Sequence, residues 1–160
     1  MPSVLLPVPH FEQSRDGYCL PACVRMVLAF LGDEQTEATF VKQLGTKRYG
    51  TPIHNVERLR TRGFLVIIGT MTLAELKSYL DDGQPVIGRV WTAMLDYWDV
   101  ATSHVVVAVG YDESRVFLND PAIPASPQPV VWDAFLAAWA EYDETAVVIS
   151  SLSHPKSAES

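Results

Sequence analysis

Two cysteines stand four residues apart in CLPACVRMVLAFL, residues 19–31, whose apolar residues recur at helical spacing. Ala22, Met26 and Ala29 or Phe30 fall on one stripe, Cys23, Val27 and Leu31 on its neighbour, and Gly32 supplies a stop. Pro21 suits the first turn, where a missing N–H costs nothing because those groups have no partner within the helix. Cys19 therefore opens a largely buried helix. A thiol is a useful nucleophile only as the thiolate, and the unpaired N–H groups of a helix N-terminus favour negative charge. Cys19 is the candidate nucleophile, whereas Cys23, one turn further on, points into the core and reads as structural.

A nucleophilic thiol needs a base, and the natural one is an imidazole, which titrates near neutrality. Of the four histidines, His10 sits in a proline-flanked N-terminal segment, His54 in the first turn of a helix and His154 in the tail. His104 opens the apolar run Val105–Tyr111, where a rigid strand would fix its ring, and it is the candidate base. Such an imidazole needs a third group to hold its tautomer. A hairpin turning at 112–114 pairs position 104 with about position 122, which brings Asp120 within side-chain reach. Gln13, six residues before Cys19, can supply an amide that joins the Cys19 N–H in stabilising an oxyanion.

The elements that must position these residues follow from local pattern. A second helix is expected from Glu37 to Leu44, and a third begins at Thr51-Pro52 with Thr51 as cap, Ile53, Val56 and Leu59 inward, and Gly63 as stop. Phe64–Ile68 reads as a short buried strand. Thr72-Leu-Ala-Glu75 is a capping box that opens a helix running to Gly83. Strands are expected at Pro85–Trp91, His104–Tyr111, Arg115–Asn119 and Thr145–Ser150, with a helix at Trp132–Trp139. The segment Trp91–Ser103 carries Trp91, Met94, Tyr97 and Trp98, and reads equally as a flap over the core or as a wall beside the substrate. Helices first and strands mostly later predict an α+β domain, with an N-terminal helical layer packed on an antiparallel sheet.

The chain has 160 residues, 48% hydrophobic and 19% charged, enough apolar material for one core. A single domain over 1–150 with a flexible tail over 151–160 is expected. A net charge of −7 opposes phosphate binding and excludes nucleic acid as a partner. Two cysteines cannot form a disulfide framework and fit a reducing, cytoplasmic setting. The N-terminus lacks the pattern of a signal peptide, and no apolar run is long enough to span a membrane.

Taken in order, Gln13, Cys19-Leu-Pro-Ala-Cys23, Gly83-Gln-Pro-Val86, His104-Val-Val-Val, Gly110-Tyr-Asp and Asn119-Asp120-Pro121 resemble the papain-like cysteine peptidases of the bacteriocin-processing, double-glycine leader type. The resemblance runs from about Val8 to Ile149 and implies a standalone papain-like domain without cofactor or metal, acting on a peptide or protein. It implies Cys19 as nucleophile, His104 as base, Asp120 as orienting acid and Gln13 as oxyanion donor, acting through a thioester acyl-enzyme. Leu20 departs from it, standing where the family usually has Gly, and is expected to reshape the mouth of the cleft and the substrate range. Family members fused to transporters cut after a Gly-Gly pair; no transporter segment is seen here, and that specificity is not carried over. Two rivals stand beside hydrolysis: acyl transfer to another acceptor on the same triad, and a module that binds a leader peptide without cutting it. Added amines would reveal the first. Leu20 leans toward the second, and the intact set of four residues leans against it.

Overall fold

Alternation along the strands divides the apolar residues between two faces of one antiparallel sheet. The computed structural model describes residues 3–152. Its strands are β1 (Val4–Leu5), β2 (Phe64–Thr70), β3 (Val86–Trp91), β4 (Ser103–Tyr111), β5 (Arg115–Asn119), β6 (Gln128–Val131) and β7 (Thr145–Ser151). Its helices are α1 (Cys19–Phe30), α2 (Glu37–Gln43), α3 (Leu73–Asp81) and α4 (Trp132–Ala140), with 3₁₀ helices at Ile53–Arg62 and Thr92–Met94. The sheet order is β2-β7-β3-β4-β5-β6, and β1 adds to β4 beyond the end of β3.

The α+β expectation holds, with one addition. Met26 and Val27 of α1, Phe40 of α2 and Val56 and Leu59 pack on one face against Val105, Val107 and Val109. Leu76 and Leu80 of α3 and Phe135 and Trp139 of α4 pack on the other against Val106 and Ala108. The sheet thus lies between two helical layers. Coverage on both faces explains why β4 reads as an unbroken apolar run rather than an alternating one.

Local signals behave as expected where they are strongest. The Thr72 hydroxyl accepts from the Glu75 N–H at 3.1 Å, and the Glu75 carboxylate accepts from the Thr72 N–H at 2.9 Å. Elsewhere the structure revises the reading. The third helix is 3₁₀ and is capped by Pro52, while the Thr51 hydroxyl bonds to that of Thr46 at 2.6 Å. β6 was not foreseen, because Pro129 weakens its pattern; an edge strand tolerates a proline that an inner strand would not. Ser151, expected in the tail, belongs to β7 opposite Phe64, and the rest of that tail from 153 onward lies outside the described residues. No helix among the described residues is long and apolar enough to cross a membrane.

The β4–β5 hairpin carries the decisive irregularity. Near the turn Tyr111 faces Val116 and Gly110 faces Phe117, but past it Ala108 faces Leu118 and Val107 faces Asn119. A bulge between Ala108 and Gly110 has shifted the register by one residue, which exchanges the faces of every side chain beyond it. Continued without the bulge, the register at the turn would set Asp120 and His104 on opposite faces. A side chain at Gly110 would strike the backbone of Val4 and Leu5, so glycine is what lets β1 approach at the bulge.

Candidate active site

Cys19 is the first residue of α1, and the preceding Tyr18 offers no side-chain cap to its N-terminus. The helix lies across β4, tied there by the buried Cys23 thiol, which donates to the Val105 carbonyl at 3.4 Å. Burial, then the charges of Cys19 and Asp120, push the Cys23 thiol well above the usual range, which keeps it neutral and unreactive.

His104, 4% exposed, meets the fully buried Asp120 at the ends of the hairpin strands. Its Nε2 donates to Asp120 Oδ1 at 2.6 Å. With Nε2 committed to Asp120, Nδ1 is the nitrogen left for Cys19, which acts on the ring through a hydrogen bond and through charge. Burial works against a charged ring, but the hydrogen bonds and charges of Asp120 and Cys19 outweigh it and push His104 up to about 9. Burial also works against an ionised Asp120, yet His104, the Ala122 N–H and Trp98 together hold it below the usual carboxylate range.

Asp120 has more partners than the sequence reading gave it. Its Oδ2 accepts from Tyr97 Oη and from Trp98 Nε1, both at 2.8 Å, and Oδ1 also accepts from the Ala122 N–H at 2.9 Å. Burial and the adjacent carboxylate push the Tyr97 phenol upward, so it remains a donor. The Trp98 ring stands 4.7 Å from His104, tilted by 59°. The aromatic segment 91–103 is therefore both flap and wall, with Leu95 buried in the core and Trp98 bordering the cleft. Its aromatic density was visible in the sequence, but the direction of its donors was not.

Gln13 is carried in by a strap along the end of the hairpin. Leu6 N–H donates to Val109, Asn119 Nδ2 to the Val8 carbonyl, His10 Nε2 to the Asp120 carbonyl at 2.8 Å, and Gln13 N–H to Pro121 at 2.7 Å. His10, unassigned in the sequence, is thus one of the groups that anchor the Asp120 loop. Gln13 Nε2 gives one hydrogen to the Arg15 carbonyl at 3.0 Å, which leaves its second, while Oε1 is buried without a hydrogen-bond partner.

Cys19, His104 and Gln13 border one open cleft of about 680 Å³. Gly17, at φ +86°, is part of its floor; a side chain there would strike the Arg48 carbonyl. Leu20 contributes to the same wall but is 2% exposed and packed into the α1-side core, so its side chain does not project into the opening, and the expectation that it reshapes the mouth of the cleft is corrected. A helix residue one position past Cys19 turns about 100° away from it and inward. Among the described residues no three His, Cys, Asp or Glu side chains converge as metal ligands would.

Solved structures share this fold. A protein from Bacillus anthracis described as a C39-like peptidase is 19% identical, with a TM-score of 0.78 over 92% of this chain and 97% of its own. The peptidase domain of Streptococcus ComA, a bi-functional ABC transporter of a quorum-sensing pathway, is 19% identical, with 0.75 over 90% and 98%. A double glycine motif protease from an AMS/PCAT transporter, solved with its leader peptide, is 20% identical, with 0.73 over 93% and 95%. At these identities the likeness establishes the fold, and it is that of the papain-like C39 peptidases. No curated protein matches the chain. The model of the Peptidase_C39 like family matches residues 5–147, nearly the whole described chain, and the protein belongs to that family.

Proposed function

We propose that the protein is a thiol-dependent peptidase that cuts amide bonds in a peptide or protein through Cys19, His104, Asp120 and Gln13. The observation that carries this reading is the buried 2.6 Å bond between His104 and Asp120 beside a cleft-facing Cys19 at a helix N-terminus. Cys19 Sγ, as the thiolate whose proton His104 Nδ1 already holds, attacks the scissile carbonyl carbon, and the oxyanion takes donors from Gln13 Nε2 and the Cys19 N–H. His104 returns the proton to the leaving amine and a thioester remains. Water, deprotonated by His104, then attacks the thioester and releases the acid and the thiol. Asp120 stays ionised and holds the ring. No metal or organic cofactor enters these steps.

A related fold has been solved with a leader peptide bound, which supports a peptide as the ligand of this cleft. The non-cleaving rival rested on Leu20, whose side chain is buried in the core rather than lying across the cleft. Cytoplasmic residence is part of the proposal, because a reducing compartment keeps such a thiol free.

The test is intact-mass analysis after limited iodoacetamide at pH 7, paired with cleavage of a peptide library. One adduct on Cys19 and none on Cys23, with hydrolysis lost in Cys19→Ala and His104→Ala, is the expected result. Equal labelling of the two thiols in the folded protein, or normal turnover by His104→Ala, would overturn it.

A further inference from the structure

Among the described residues, the cleft wall contains one Lys or Arg side chain, Arg89. It projects from β3 with Val105 as its neighbour on β4, one residue along from His104. Its Nε donates to Ser103 Oγ at 3.2 Å, and its guanidinium carbon lies 4.2 Å from the centre of the Tyr142 ring. These contacts set the plane of the guanidinium and use one of its five N–H donors. Three other arginines have carboxylate partners: Arg60 with Glu57, Arg62 with Asp33 and Arg115 with Asp112. Arg89 has none within ion-pair distance among the described residues, although Asp16 borders the same cleft. Arg15, Arg25, Arg48 and Arg58 also have no carboxylate within that distance among the described residues, but Arg89 is the one of these that borders the cleft, where it can take a carboxylate from outside.

We propose that Arg89 is a specificity-determining residue that receives a carboxylate of the substrate, from an acidic side chain close to the scissile bond or from a peptide C-terminus. The proposal rests on the peptidase reading and names the substrate class of that same cleft. The outer edge of the guanidinium, left open by Ser103 and Tyr142, offers two parallel N–H groups, the fork that matches a carboxylate bidentately. A lysine in the same place would supply the charge without the fork.

The experiment uses fluorogenic peptides that differ by one Glu or Gln at each position flanking the cleaved bond, each made with a free or an amidated C-terminus. At one position the parent protein is expected to prefer the carboxylate to the isosteric amide by about tenfold or more in kcat/KM. The preference should fall to near unity in Arg89→Gln and persist in part in Arg89→Lys, whose retained charge separates recognition from loss of fold. A side-chain source shows in the Glu and Gln pairs, and a terminal source in the acid and amide pairs. Absence of any preference in the parent, or a preference unchanged in Arg89→Gln, overturns the proposal. Should the parent cut no peptide at all, the peptidase reading fails by itself. The ratio of iodoacetate to iodoacetamide rates at Cys19 then decides the matter for Arg89, since only the first reagent carries a carboxylate. That ratio should drop several-fold in Arg89→Gln, and an unchanged ratio refutes the site.

Discussion

Replacement of Asp120 by asparagine probes the arrangement around it, because the two side chains have the same shape and opposite donor capacity on one branch. Asp120 accepts four hydrogen bonds, from His104 Nε2 and Ala122 N–H on Oδ1 and from Tyr97 Oη and Trp98 Nε1 on Oδ2. In Asp120→Asn the amide oxygen can keep the first pair, but the NH₂ group then faces two donors. Tyr97 can rotate its hydroxyl to accept, whereas an indole N–H can only donate, so Trp98 is left in a donor–donor contact. The flipped amide is worse, since its NH₂ then meets the backbone Ala122 N–H, which can only donate, and needs His104 to adopt the tautomer whose Nε2 accepts. The substitution also strips the charge that supports the His104 imidazolium, and breaking a buried pair in this way costs about 3–5 kcal/mol. A buried donor without an acceptor accounts for about 1–3 kcal/mol of that. Trp98→Phe removes this donor, so Asp120→Asn should cost about 1–3 kcal/mol less when combined with Trp98→Phe than in the parent. Urea denaturation at pH 7 of the parent, both single variants and the double variant gives the coupling directly. Additivity within about 0.5 kcal/mol would refute the claim that Trp98 and Asp120 are joined by the bond described.

Three further expectations bear on chemistry and stability. Gln13→Ala keeps the main-chain bond to Pro121 and should lower kcat by roughly a hundredfold or more while the rate of Cys19 alkylation stays within a few-fold, because alkylation passes through no oxyanion; a parallel fall in both would mean that Gln13 merely holds the strap. His104 lies above its ordinary value of 6.5, at about 9, so its contribution to stability is full below about pH 6.5 and is lost as pH rises through 9. Denaturation between pH 6 and 8 should register a decline of roughly 1.5–2 kcal/mol that is absent in His104→Gln, and a flat parent profile would contradict the assignment. Leu20→Gly should cost about 3–5 kcal/mol through lost core packing and helix propensity, read by urea denaturation, and a stable variant with an altered substrate range would restore the view of Leu20 as a cleft residue.

How far the sequence carried the site depends on the range of the interactions involved. Cys19 at a helix start, the Thr72–Glu75 box and the strands of the β4–β5 hairpin were legible because caps, prolines, glycines and apolar periodicity act over a few residues. The hairpin estimate also brought Asp120 to the correct partner, though by a different route: a regular turn over 112–114 was assumed, whereas the bonded turn is tighter and the bulge restores the register. A bulge depends on the approach of β1 to Gly110, more than 100 positions away, and no local pattern announces it. The same limit hid the bond from His10 to the Asp120 carbonyl, across 110 positions, and the donors of Tyr97 and Trp98. It also hid the burial of Leu20, which depends on where α1 meets the sheet. The sequence by itself determined the residue types and the local elements that present Cys19, His104 and Asp120. Tertiary structure decided their parity, their partners and the walls of the cleft, because register and donor convergence arise from contacts between segments that meet only when the sheet has assembled.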